Sequence, residues 1–189
     1  MSEPDDDRRA ALLDASLGVF LRYGFKKTSM DLVARAAGLS RQGLYLHFPT
    51  KEVLFRETVK HFIASGRELG KRALADEERT AEERIVAAFA ALHGHAADSE
   101  HLDELTATAA PILGSLIEEF EKGFVADLAR MLQSSGVAAR WQSADISAKA
   151  LADHLYTVSE GLKRRGVARA AWLDRIKIAA KIVCRGPRG

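Results

Sequence analysis

From Leu12 onward the apolar residues of this chain recur at spacings of three and four, and no stretch alternates apolar with polar over the length of a strand. A period near 3.6 residues fits helices with one buried face and argues against a half-buried sheet. Abundant alanine and leucine, with only short β-branched runs, favour the same answer. The chain is therefore expected to be all-α. Helices are predicted at about Arg8 to Tyr23, a short one ending near Ala36, Arg41 to His47, Lys51 to Leu74, Ala81 to Ala97, Leu102 to Thr108, Pro111 to Ser134, Ser147 to Arg165 and Ala168 to Val183. The breaks between the later ones, "ADEERT", "ADSEH", "SSGVAARWQSAD" and "RRGV", are polar or contain glycine.

The punctuation of the first fifty residues is closer and more specific. Gly24 offers a left-handed stop for the first helix. "TSMD" offers Thr28 as N-cap with Asp31 three residues on, a variant of the capping box. Gly38 ends the second helix, Ser40 caps the third, and Pro49 and Thr50 separate it from the fourth. Two short helices around a tight turn form a helix-turn-helix unit. Val33, Leu39, Leu44 and Phe48 are expected to share a small core with Leu17 and Phe20, and Ala34 lets the helices approach.

Packing leaves Arg41, Gln42, Gly43, Tyr45, Leu46 and His47 on the outer surface of a helix too short to be stable alone. An exposed Arg-Gln pair can form bidentate hydrogen bonds with guanine and adenine edges in a major groove, and Gly43 lets the backbone come close. Tyr45, His47 and Lys51 suit phosphate oxygens, beside the helix N-termini at Thr28 and Thr50. Between Phe20 and Lys60 the bases Arg22, Lys26, Lys27, Arg35, Arg41, Lys51, Arg56 and Lys60 outnumber Asp31, Glu52 and Glu57. Overall charge is only +2, so this local excess carries the polyanion signal.

Composition bounds the rest. The chain has 189 residues, 47% hydrophobic and 29% charged, which is globular rather than disordered. No apolar run approaches the ~20 residues of a membrane span, and "MSEPDDDRRAA" lacks the basic and apolar regions of a signal peptide. A cytoplasmic location without membrane association is expected. The single cysteine, Cys184, cannot form an internal disulfide; it reads as a small apolar residue or, alternatively, a redox switch.

"LLDASLGVFLRYGFKKTSMDLVARAAGLSRQGLYLHFPTKEVLFRETV", Leu12 to Val59, closely resembles the DNA-binding region of the tetracycline-repressor (TetR) family of bacterial regulators. The "F..YGF..TS" entry, the "A...G.S" turn and "LY.HF..KE.L" carry the resemblance, over about a quarter of the chain. It implies a helix-turn-helix domain at residues 1–50 and a helical ligand-binding and dimerisation domain at residues 51–189. It assigns Arg41, Gln42, Gly43 and Leu46 to the groove, and Thr28, Ser40, Tyr45, His47 and Lys51 to the DNA backbone. Leu46 either touches a thymine methyl group or covers the rim.

In the larger half the resemblance fades to a pattern of helices. Leu151, Leu155 and Val158, with Trp172, Ile176, Ala179 and Val183, form stripes that pack within the chain or, by the family analogy, against a second subunit. Phe62, Phe89, Leu92, His93, Leu116, Phe120 and His154 either fill core or surround an effector of apolar character. His93, His95 and His101 with nearby acids resemble a metal set only loosely. On a helix His93 and His95 point about 200° apart, and a polar helix end is the simpler reading. No cofactor, metal or catalytic constellation is expected.

The expected function is a ligand-responsive regulator: a repressor that binds palindromic double-stranded operator DNA as a homodimer and is released by a small molecule. An activator or co-repressor-dependent regulator of the same fold, or a helical adaptor for protein partners, are the alternatives.

Overall fold

The computed structural model describes residues 3–93 and 99–186, and among these every regular element is helical. In chain order they are α1 (Glu3–Lys27), α2 (Met30–Ala36), α3 (Arg41–His47), α4 (Lys51–Ala75), α5 (Ala81–His93), α6 (Leu102–Ser134), a 3₁₀ turn (Ala138–Ala144), α7 (Ala148–Arg164) and α8 (Arg169–Arg185). The chain forms two compact units, Met1–Ser65 with Ser99–Ile117, and Gly66–Asp98 with Glu118–Gly189.

The first unit is built on α1, which starts at Glu3, earlier than its apolar stripe predicts, and so takes in the acidic "EPDDD". It breaks at Gly24, with φ 74° and ψ 168°. That is not the left-handed helical conformation expected of a cap but a region essentially confined to glycine. Space is equally restrictive, because a Cβ there would meet the Glu104 carboxylate, whose Oε1 accepts from the Lys26 N–H at 3.0 Å. Leu12, Leu13, Val19 and Phe20 of α1 pack with Met30, Val33, Ala34, Leu44, Phe48, Leu54 and Phe55, and with Leu105 and Ala109 from the start of α6. The Phe20 and Phe25 rings each meet Phe55 edge-on at 5.0 Å. Buried Ser16 and Thr58 donate to the carbonyls of Leu12 and Leu54, four residues back, which satisfies them without a partner from elsewhere.

Three sequence expectations change here. Leu39 is exposed, at 37%, and Leu17 only half-buried, so neither belongs to the small core as anticipated. Leu39 follows Gly38, whose φ is +67°, and donates its N–H to the Ala34 carbonyl while Gly38 donates to Arg35. This is a Schellman stop, and it turns Leu39 outward. The α2 cap is Ser29, not Thr28: its Oγ accepts from the Leu32 N–H at 3.3 Å. The helix predicted to end before Pro111 continues through it. Pro111 and Ala107, whose carbonyl a helical N–H at 111 would have reached, both lie on the exposed side, where the loss is cheapest.

The second unit packs α5, the later part of α6, α7 and α8 around Ile85, Phe89, Leu128, Leu132, Leu155, Trp172 and Ile176. α8 packs against both α5 and α7. The segment expected to be a plain break carries the 3₁₀ turn, which closes the end of α8: the Trp141 indole donates to the Val183 carbonyl at 2.8 Å and the Arg140 guanidinium to that of Cys184. No described helix is long and apolar enough to cross a membrane.

Candidate nucleic-acid interface

Helix α3 is seven residues long and buries a single side chain, Leu44, with 0% exposure. That anchor decides which residues face out. Arg41, Gln42, Tyr45, Leu46 and His47 are exposed, Leu46 at 84%, and Gly43 is half-buried. Ser40 holds the helix start, its Oγ accepting from the Gly43 N–H at 3.0 Å. A Cβ on Gly43 would lie 3.2 Å from that same oxygen, so the glycine also serves the cap. Thr50 caps α4 in the same way, through the Val53 N–H at 3.2 Å.

Arg41 is held on two sides. Its Nη1 donates to Asp31 Oδ2 at 3.4 Å, and its guanidinium carbon lies 5.6 Å from the centre of the Tyr45 ring. The Tyr45 hydroxyl and then the Asp31 carboxylate hold its pKa above the ordinary arginine value. Glu52, in the first turn of α4, has its pKa lowered by its own backbone N–H and then by the Thr50 hydroxyl. Both effects favour the charged forms.

Of the five residues expected at a nucleic-acid backbone, Ser40, Tyr45 and His47 are on the surface. Thr28 is not: it is 3% exposed and donates its hydroxyl to the Gly24 carbonyl at 2.6 Å, closing the end of α1. Lys51 is half-buried, and its Nζ donates to the carbonyls of Phe25 (2.9 Å) and Thr28 (3.1 Å) while lying 4.4 Å from the Phe25 ring centre. Two of its three N–H groups thus hold the α1–α2 turn. The sequence marks Asp31 as a capping acid and as one of the few acids in a basic segment; its pairing with Arg41, ten residues on, depends on the angle between α2 and α3, which the local pattern does not give.

The residues expected in an effector pocket fall in both units. Phe89 and Leu92 are buried in the second unit, Phe120 is half-buried against the same cluster, and His154 is exposed on α7. Phe62 and Leu116 are half-buried members of the first unit. The His93 side chain, His95 and Asp98 lie outside the described residues. A groove of about 450 Å³ in the second unit is lined instead by Lys71, Leu74, Ala75, Arg84, Asp127, Arg130, Met131 and Ser134. Arg84 there donates to the Leu74 carbonyl and Arg130 pairs with Asp127. No group of three metal-ligating side chains occurs among the described residues.

The stripe read as packing within the chain or against a second subunit faces inward. Leu151, Leu155, Trp172, Ile176 and Val183 are buried in the core of their own chain, and Val158 and Ala179 are half-buried against it. The outer face of α8 instead presents Ile178 and Ile182, each 59% exposed, and that of α7 Ala150, His154, Thr157 and Gly161.

Comparison with known proteins agrees with this architecture. Residues 12–58 match the family "Bacterial regulatory proteins, tetR family". The HTH-type transcriptional regulator YfiR of Bacillus subtilis (strain 168) is 36% identical over 104 residues, 55% of this chain and 43% of that protein. The HTH-type transcriptional activator FasR of Mycolicibacterium smegmatis is 37% identical over 60 residues, 32% of this chain and 27% of its own. The chain thus spans less than half the length of these curated relatives. The fold is shared throughout with a TetR-family transcriptional regulator of Mesorhizobium loti, at 20% identity and a TM-score of 0.66, covering 98% of each chain. The N-terminal segment of the chain is thus similar to the tetR family of bacterial regulatory proteins, and its helical fold is shared over its whole length with a TetR-family structure.

Proposed function

We propose that this chain is a ligand-responsive regulator that binds palindromic operator DNA as a homodimer, represses transcription, and is released by a small-molecule effector. The observation that carries the reading is the outward face of α3. A seven-residue helix is pinned by Leu44 alone and presents an oriented Arg41, with Gln42, Tyr45, Leu46 and His47, away from its core. Arg41 and Gln42 address base edges, with Gly43 and Leu46 beside them, while Ser40, Tyr45 and His47 address phosphates.

A single helix-turn-helix reads too few base pairs for high affinity, so a two-fold pair of units with half-sites about 34–36 Å apart is the expected assembly. The exposed faces of α7 and α8, with Ile178 and Ile182, are the surface offered for it. The effector, of apolar character, binds in the helical part beyond residue 50 and shifts the spacing of the two reading helices. A cytoplasmic location goes with this role. The similarity to the activator FasR favours one alternative, activation from the same architecture.

The test is anisotropy titration of a selected duplex and a random duplex across salt concentrations. Affinity is expected to fall steeply with salt through counterion release, and Gln42→Ala to lower the preference for the selected duplex. Equal loss on both duplexes from Gln42→Ala would remove the base-reading assignment.

A further inference from the structure

Asp31 and Arg41 sit on different helices, yet Arg41 Nε lies 3.3 Å from Asp31 Oδ1 and Nη1 reaches Oδ2 at 3.4 Å. On its other side the guanidinium faces the Tyr45 ring at 5.6 Å, one turn along α3. The pair is open to solvent, with side chains 65% and 47% exposed, so it adds little to holding the fold together. Its consequence is directional. An unrestrained arginine reaches any nearby phosphate through its flexible stem, whereas one held by a carboxylate and a ring keeps its remaining N–H groups in one orientation.

We propose that Asp31 is a positioning residue that sets sequence discrimination: it presents Arg41 to a base edge and withholds one positive charge from indiscriminate phosphate contact. This rests on the reading of α3 as the DNA-contacting helix. Tyr45 completes the clamp from the opposite side. Asp31 occupies the first turn of α2, which is anchored by buried Met30, Val33 and Ala34, so the carboxylate is fixed by the same core that fixes α3.

The experiment compares the full-length chain with Asp31→Asn, Asp31→Glu, Arg41→Ala and the Asp31→Asn/Arg41→Ala double variant. Each is titrated over a salt series against a genomically selected duplex and a random duplex of equal length. Asp31→Asn is expected to bind random DNA about three-fold more tightly, with a salt slope steeper by about one. The ratio of selected to random affinity then falls. Asp31→Glu, which keeps the charge, retains most of the ratio, and in the Arg41→Ala background Asp31→Asn changes nothing.

An unchanged ratio, a parallel loss on both duplexes, or the same effect with and without Arg41 overturns the proposal. A parallel loss is what mere weakening of α2 would produce. If the unmodified chain prefers no duplex at any salt, the DNA-binding reading fails together with the proposal. That result is read before any variant is compared, so the two failures are distinct.

Discussion

Leu44 and Leu46 are the same residue two positions apart on one short helix, and the structure predicts opposite consequences of truncating them. Leu44 has 0% exposure and is the only buried side chain of α3; Leu46 is 84% exposed. Leu44→Ala removes three buried carbons, about 2.4 kcal/mol at ~0.8 kcal/mol per CH₂. The residual cavity raises the cost to about 3 kcal/mol, at the low end of measured leucine truncations. Against this stands the Ser40 cap, worth about 1 kcal/mol, on a helix well below the ~12 residues at which isolated helices become even marginal. Opening of α3 should therefore become accessible in Leu44→Ala, and apparent DNA affinity falls with the fraction of chains that keep it closed.

Leu46→Ala exposes nothing new and should leave stability within about 0.5 kcal/mol. The assay pairs urea unfolding, followed by far-UV circular dichroism and tryptophan fluorescence, with duplex titration. Trp141 and Trp172 both lie in the second unit, so fluorescence reports that unit while circular dichroism reports all the helices. Leu44→Ala should shift the circular-dichroism transition more than the fluorescence one and lose at least about ten-fold in duplex affinity. If it binds DNA within two-fold of the unmodified chain, contacts other than Leu44 hold α3, and the account of its anchoring is wrong.

Lys51→Ala should lower the stability of the first unit by about 1–2 kcal/mol in urea unfolding, through loss of two charge-assisted hydrogen bonds that are only half-shielded from water. Its DNA affinity should drop by the same factor on selected and random duplexes. Burial pushes the Cys184 thiol up to about 11, so at pH 7–9 the thiol stays protonated and little thiolate is present for alkylation. Iodoacetamide labelling of the folded chain should be slow there, accelerate only as pH approaches 11, and become fast at pH 8–9 once the chain is unfolded in urea.

The elements that depend on nearest neighbours in the chain are legible in the sequence. Gly38 with Ala34, Ser40 ahead of Arg41 and Pro49 ahead of Thr50 mark the turn and both ends of α3, and the structure places them there. The outward set of Arg41, Gln42, Tyr45, Leu46 and His47 followed from the same local pattern. Choices settled by tertiary packing were not legible. Thr28 and Ser29 are adjacent and equally fit to cap α2, and only burial of Thr28 decides for Ser29. Lys51 has the composition of a phosphate ligand, but the carbonyls it binds lie more than twenty residues earlier in the chain. The period of α7 and α8 identified apolar stripes without identifying their neighbour. Because α5 and α7 pack on α8, Trp172 and Ile176 point into their own chain.

The most direct test of the central claim is selection of genomic fragments by the purified chain at low and high salt, followed by sequencing of the bound pool. The account predicts a recovered palindrome with half-sites about one helical turn or a multiple apart, still enriched at the higher salt. Fragments that share no sequence at either salt, or no retained DNA at all, would contradict the reading of α3 as a sequence-specific element.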